Sequence, residues 1–268
     1  MSRGRKPPWL PKHPILVIGD FCIDAFTQAR ASRMSREQPV PVFVSGDSRD
    51  EEGCAGNVAR QVEALGVPAV LQRLSATRKE RILAGEPARE VFRLDHPWPR
   101  REGMPYFWTR RCPPAAVVFV DYQGIPPSRK LVEWMLQWGV PLIGDSRQQI
   151  AGWEGFDLVK ISEDDTNGLP VSLCHEACRA KAVVVTRGAK GHSLYAHEYL
   201  TDVPPSPAHG PVANISGAGD VFTATAAVAL AGGQTVEEAC RLAGIAASLR
   251  VMKPEYNATV TWEEICTS

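Results

Sequence analysis

Short apolar runs that end on an aspartate recur along this chain, and segments of helical spacing fill the gaps between them. Ile15–Ile18 leads through Gly19 to Asp20, Ala115–Val120 leads to Asp121, and Pro141–Ile143 leads through Gly144 to Asp145. Runs of this length without polar interruption suit strands buried on both faces. The polar residue closing each run then faces the crevice at the strand ends. Ala69–Leu74, Leu158–Ile161 and Ala182–Thr186 read as further strands, and a turn at Arg187–Gly191 precedes a hairpin beginning at His192–Tyr195. Val58, Val62 and Leu65 keep helical spacing, with Asn57 placed as a cap and Gly66 as a stop; Ser128–Trp138 is a second helix closed by Gly139. Thr235-Val236-Glu237-Glu238 reads as a capping box opening a helix that reaches Val251. The alternation predicts an α/β protein with a mostly parallel sheet.

Residues 25–50 depart from this rhythm. Pro39–Val44 alternates as an edge strand would, amid Gly, Ser and Asp, which predicts a lid or flap. At 268 residues the chain suits one large domain, expected over 15–268, with lid segments near 25–50 and 79–97. Residues 1–14 carry Arg3, Arg5, Lys6 and Lys12 among four prolines and read as a flexible basic arm. Thirty basic and thirty acidic residues cancel, so neither nucleic acid nor a membrane is an expected partner, and a small-molecule substrate fits better. Seven scattered cysteines, with no signal-type or membrane-length apolar run, point to free thiols and a cytoplasmic location.

The sharpest chemical feature is Asn214-Ile215-Ser216-Gly217-Ala218-Gly219-Asp220, which runs into the small-residue helix pattern Val221–Ala231. The first turn of a helix has unpartnered N–H groups and the positive end of the macrodipole, so Gly217, Ala218 and Gly219 form an anion hole. A carboxylate would ordinarily repel a phosphate; Asp220 at this spot suggests a base that deprotonates an attacking hydroxyl. The pairing implies phosphoryl transfer, although a glycine turn before a helix can also serve close packing. Cys174-His175 with Cys178 is spaced like part of a metal clip, but no second ligand pair accompanies it. Trp134 and Trp138, one helical turn apart, read as packing or a partner surface.

Gly53-Cys54-Ala55-Gly56-Asn57-Val58-Ala59 resembles the Gly-Gly-x-x-Asn-x-Ala signature of the ribokinase-like (PfkB) carbohydrate kinases, and Asn214–Asp220 resembles their second signature. Gly19-Asp20 with Asp24, the stretch Arg33–Val42, Arg93-Leu94-Asp95, Asp121-Tyr122 and Val185–Gly188 extend the likeness. These pieces are most similar to the D-glycero-D-manno-heptose 7-phosphate kinases, which often form half of a bifunctional protein; the nucleotidyltransferase half is not found in this sequence. The resemblance implies a three-layer α/β/α sandwich with a small β lid, and an ATP- and Mg2+-dependent kinase acting on a sugar or sugar phosphate. The specific guess is the anomeric hydroxyl of a heptose 7-phosphate. It implies Asp220 as base, with Asp20, Asp24, Gly53 and Asn57 on sugar hydroxyls. For the nucleotide it points to Lys160, Ser162, Asp165, Thr186 and Gly188. It also admits a monovalent cation and a homodimer through the lid, and assigns no metal ligands. Arg33, Arg36 and Arg93 are candidates for an acceptor phosphate.

The sequence departs from the family pattern in several places. Ser162 and Asp165 replace an amide and a longer carboxylate, Cys54 replaces the second glycine, Gln123 stands at a family lysine and Asn214 at an aspartate. Between Leu74 and Lys79 a helix and a strand of the family are missing. These departures motivate a second reading, a catalytically impaired sugar- or nucleotide-binding pseudokinase with a regulatory or scaffolding role. A dinucleotide-dependent oxidoreductase is disfavoured, because the glycine fingerprint does not follow the first strand.

Overall fold

The computed structural model describes residues 7–86, 88–99, 113–147, 150–206 and 210–268. Strand β5 (Ala116–Val120) is buried along its whole length, with Ala116, Val118 and Val120 packed on one side of the sheet and Val117 and Phe119 on the other. β1 (Ile15–Met34), β3 (Ala69–Ala84), β6 (Leu142–Ser146), β7 (Leu158–Ser162) and β8 (Ala182–Thr186) lie parallel with it. β2 (Pro41–Cys54) runs antiparallel along β1 and β4 (Arg89–Asp95) antiparallel along β3. β9 (His192–Ala196) and β10 (Tyr199–Val203) close the far edge as the expected hairpin, giving the order β10-β9-β8-β7-β6-β5-β1-β3-β4 among the described residues.

Helices cover both faces, which is why the central strands need no polar side. α1 (Ala55–Ala64), α4 (Ala218–Ala231), α5 (Val236–Val251) and α6 (Trp262–Thr267) pack on one side; α2 (Arg129–Leu136) and α3 (Val171–Cys178) pack on the other. Ala226, Ala227 and Ala229 of α4 and Ala243 and Ala246 of α5 show the consequence of small residues: the two helices approach closely enough to share one core. Cys174 and Cys178 are buried in the opposite core as apolar side chains, and among the described residues no group of three or more His, Cys, Asp or Glu side chains could hold a metal. Trp134 and Trp138 stack edge-on at 5.9 Å.

The lid differs from the expectation in how it is built. β1 and β3 do not stop at Ile18 and Leu74; each continues as one strand out of the core, pairing in parallel from Ile15↔Ala69 to Gln28↔Leu83. Their register shifts between Gly19 and Asp20, so that Leu74 is bulged and Ser75 faces Asp20. Leu74 to Lys79 is thus uninterrupted strand, where the family pattern carries further elements. Past this point alternation gives way to polar residues because the strands have left the core.

Three local readings are corrected. Asn57 does not cap α1, whose cap residue is Cys54; Asn57 stands inside the first turn with its side chain turned to the crevice. Thr235 caps α5 by accepting from the Glu238 amide, but the Glu238 carboxylate pairs with Arg241, so the box is half made; the complete box is Thr261 with Glu264 at α6. Of the basic arm, Arg3, Arg5 and Lys6 lie outside the described residues. Trp9 and Leu10 are anchored: Trp9 packs edge-on against Trp262 at 5.1 Å and over Gly232, because an indole gains more from burial than a proline-rich tail gains from freedom.

Cys54 adopts φ 55° and ψ −123°, a conformation suited to glycine. Holding a non-glycine residue there costs on the order of 1–3 kcal/mol. Cys54→Gly relieves that strain but loses thiol packing and loosens the unfolded chain, leaving stability within about 1 kcal/mol of the parent. Cys54→Val, β-branched at positive φ, is expected to lose about 2 kcal/mol. Urea unfolding of the two variants checks the contrast; equal stabilities would remove backbone strain from the account.

Candidate active site

Carboxyl ends of adjacent strands supply the crevice: Asp20 from β1, Asp121 after β5, Asp145 in β6, Ser162 in β7 and Thr186 in β8. Asp20 is fully buried. Oδ1 accepts from Ser75 Oγ at 2.7 Å and Gln123 Nε2 at 2.8 Å, while Oδ2 accepts from the amides of Tyr122 at 2.8 Å and Gln123 at 3.1 Å. Asp20, expected on sugar hydroxyls, is thus already engaged by protein donors. With four protein donors on it, the carboxylate instead pins the 121–125 turn, and Gln123 does so with its side chain.

Asp220 lies in the first turn of α4 and is buried, 6% exposed. Its Oδ2 accepts from Asn57 Nδ2, and its Oδ1 accepts from the Tyr122 hydroxyl at 2.9 Å. Burial, then the Asp220 and Cys54 charges, push the Tyr122 phenol well above its ordinary value, so it stays a donor. Gly217 is the helix cap at φ 77°, a backbone that needs no Cβ, and one built there would meet Asn57 Nδ2 at 2.9 Å. Asn214 shapes the turn, accepting from the Ser216 amide at 2.9 Å and donating to the Pro254 carbonyl at 3.1 Å. The amides of Gly217 and Gly219 have no hydrogen-bond partner among the described residues, which leaves an anion hole beside a carboxylate.

Lys160 is not where the resemblance put it. Rather than reaching out to a nucleotide it is buried, its ammonium 2.9 Å from Asp145 Oδ1 and 2.8 Å from the position of a Cβ on Gly219. Thr223 Oγ1 donates to the other Asp145 oxygen at 2.8 Å. A cation thus lies under the anion hole, and a glycine is required above it. Burial and then Asp145 raise the Asp220 pKa above the usual 3.8, opposed by Asn57, Lys160 and Tyr122. Any reaction that uses the ionised Asp220 carboxylate as a base is therefore expected to quicken with pH through this raised value. Asp145→Asn removes a like charge and frees Lys160 to face Asp220; both effects lower the Asp220 pKa, and the acid limb of kcat/KM is expected to move to lower pH. A limb that stays put, or moves up, would show that Asp145 does not tune the base.

On the lid side, Asp24 lies against Gly53, and Asn57 stands beside Asp220. Asp24 accepts from Arg81 Nε at 3.1 Å, and a Cβ on Gly53 would lie 2.3 Å from Asp24 Oδ2. Asn57 Oδ1 accepts from Arg60. Cys54 Sγ touches Cys22 Sγ at 3.1 Å at the floor. Arg33 and Arg36 are exposed on the lid, and Arg93 is paired with Asp95 at 2.6 Å, so none of the three points to the crevice as a free cation. Two basic residues not singled out from the sequence do better. Lys79 Nζ lies 5.1 Å from the Tyr122 ring and 3.7 Å from Cys54 Sγ, and the Arg147 guanidinium 4.7 Å from the same ring; neither forms an ion pair among the described residues. Arg147 follows Asp145 by two positions, so its place just past a strand end was the available signal.

On the other flank, Ser162 and Thr186 are register partners at the ends of β7 and β8, with Gly188 exposed beyond them and Asp165 in the short turn after Ser162. Lys190 reaches back to Glu163 at 3.3 Å. The arrangement can hold a phosphate chain between these ends and the α4 turn, with an alcohol on the lid side and a base between.

A parallel sheet with a β lid, and a carboxylate at a glycine-capped helix start, define a ribokinase-like fold. Residues 155–263 match the model of the pfkB family carbohydrate kinases. The chain is 30% identical to the bifunctional protein HldE of Azorhizobium caulinodans, over 90% of this chain and 61% of that protein, and 29% identical to that of Hyphomonas neptunium, over 94% and 62%. Among solved structures, Arabidopsis thaliana ribokinase complexed with ribose and ATP superposes with a TM-score of 0.72 at 18% identity, over 96% of this chain and 98% of that one. Escherichia coli phosphofructokinase-2 in complex with potassium gives 0.68 at 16%, over 96% and 98%. Over residues 155–263 the chain is thus similar to the pfkB family carbohydrate kinases, and it spans 60–62% of the length of the curated relatives it matches. Among the described residues no helix is long and apolar enough to cross a membrane.

Proposed function

We propose that this domain transfers the γ-phosphoryl group of ATP to a hydroxyl of a sugar or sugar phosphate, with the anomeric hydroxyl of a heptose 7-phosphate as the specific acceptor. The observation that carries the reading is Asp220 held by Asn57 and Tyr122 beside the open amides of Gly217 and Gly219. Asp220 takes the acceptor proton while those amides receive the charge that develops on the transferring group. Phosphoryl transfer passes through a loose transition state, so positioning and fixed dipoles supply most of the rate. Asn57, Asp24 and the Gly53 backbone orient the acceptor, and Lys79, which forms no ion pair among the described residues, is a cation on that side. Ser162, Asp165, Thr186 and Gly188 form the nucleotide side, with Arg147 between. Mg2+ would be brought by the nucleotide and would offset phosphate charge, and Asp165, in the turn after Ser162, is the residue the resemblance assigns to that side. The likeness of Arg33–Val42 and Arg93-Leu94-Asp95 to heptose 7-phosphate kinases supports the heptose acceptor.

Met34, Val44, Val91, Phe92 and Leu94 are exposed apolar residues on the lid strands, and they support a homodimer closed through the lid, to be read by sedimentation. Asp20, already saturated by protein donors, is the observation that favours the impaired, sugar-binding alternative. A nucleotide-consumption assay over sugars and sugar phosphates separates the two. Turnover selective for a heptose 7-phosphate supports the proposal, turnover on another sugar moves the acceptor, and binding without turnover supports the alternative.

A further inference from the structure

Arg250, in the last turn of α5, is fully buried, and no carboxylate pairs with it among the described residues. Its guanidinium donates instead to four backbone carbonyls. Nη1 reaches Asn214 O at 3.4 Å and Lys253 O at 3.1 Å, and Nη2 reaches Glu255 O at 2.8 Å and Tyr256 O. Nε has no partner, and a Cβ on Gly217 would lie 3.7 Å from it. The carbonyls come from two segments: the turn after α5, and the loop that carries the anion hole. Rings of backbone carbonyls replace the hydration shell of a bound monovalent cation. Here such a ring is filled by a side chain, so the residues present do not fit an exchangeable ion at this place.

We propose that Arg250 is a resident cation that positions the Asn214–Gly217 loop, so that the anion hole works without an added monovalent ion. The inference rests on the kinase reading for its kinetic arm. The three carbonyls following α5 are what any helix-terminal arginine would satisfy. The Asn214 carbonyl and the contact at Gly217 are what tie the cation to the anion hole. Arg250 is a positioning residue: it touches neither the base nor the transferred group, and acts by fixing the backbone that presents the amides.

The test compares potassium, sodium and tetramethylammonium chloride at one ionic strength. The parent protein is expected to vary less than about twofold in kcat, against the roughly 100-fold loss that removing one anion-hole donor produces. Arg250→Met is expected to lose about 100-fold in kcat with the sugar KM nearly unchanged, and to regain at least about tenfold with potassium or guanidinium. A purely structural role would move stability without that rescue. In melting experiments the parent is expected to be indifferent to potassium, whereas Arg250→Met gains about 2 °C or more. Should Arg250→Met not fold, Arg250→Lys keeps a buried cation and is expected to retain about a tenth of the parental rate or more. Strong potassium activation or stabilisation of the parent, parental kcat in folded Arg250→Met, or an unrescued 100-fold loss in folded Arg250→Lys overturns the proposal. A parent without turnover on any sugar instead overturns the kinase reading, and the melting arm still decides Arg250.

Discussion

Asp220→Asn is expected to lower kcat by about 10²–10⁴-fold, the range a general base contributes. The variant keeps an acceptor oxygen towards Asn57 Nδ2, and the Tyr122 hydroxyl can rotate to accept from the new amide, so the surrounding packing survives. Removing a buried carboxylate that stands near Asp145 also removes a repulsion, so stability should hold or rise. Nucleotide binding and the melting curve should therefore be parental while steady-state turnover collapses. A variant that binds and turns over like the parent would take Asp220 out of the mechanism, and the anion hole would lose its base.

Lys160→Met carries the largest expected cost in stability. The Lys160 and Asp145 side chains are 6% and 2% exposed, so the change leaves Asp145 as a buried charge with Thr223 as its one remaining side-chain donor among the described residues, close to the Asp220 carboxylate. Breaking a buried ion pair by removing one member costs about 3–5 kcal/mol. Replacing both members with apolar side chains of similar volume, Lys160→Met with Asp145→Leu, should recover most of that loss, because neither charge then remains buried. Urea unfolding of the single and double variants measures it. A single variant within about 1 kcal/mol of the parent would mean that the pair is solvated in practice.

The residues around Asp220 were legible to different degrees. Gly217, Ala218, Gly219 and Asp220 are contiguous, and helix-start chemistry is a local property, so their grouping could be read without a fold. Asn57 was found as a sugar ligand and also as a cap; the structure rejects the cap because the chain turns at Cys54 instead. Lys160 was placed by resemblance on the nucleotide, whereas its partner is 15 residues away in sequence and on the adjacent strand. The engagement of Asp20 by protein donors depends on Ser75 and Gln123, which are 55 and 103 residues away. No spacing rule reaches such contacts.

Apolar runs, helical periods and turn residues are short-range, and by themselves they determined the α/β class, the parallel core and the chemical character of the Asn214–Asp220 turn. Only the tertiary structure decided which carboxylates are spent on protein donors, which cations lie against the Tyr122 ring, and that a buried guanidinium fills the carbonyl ring behind the anion hole. The physical reason is that hydrogen bonding and burial compete for each polar group in three dimensions, and the winner is set by neighbours the chain brings from elsewhere.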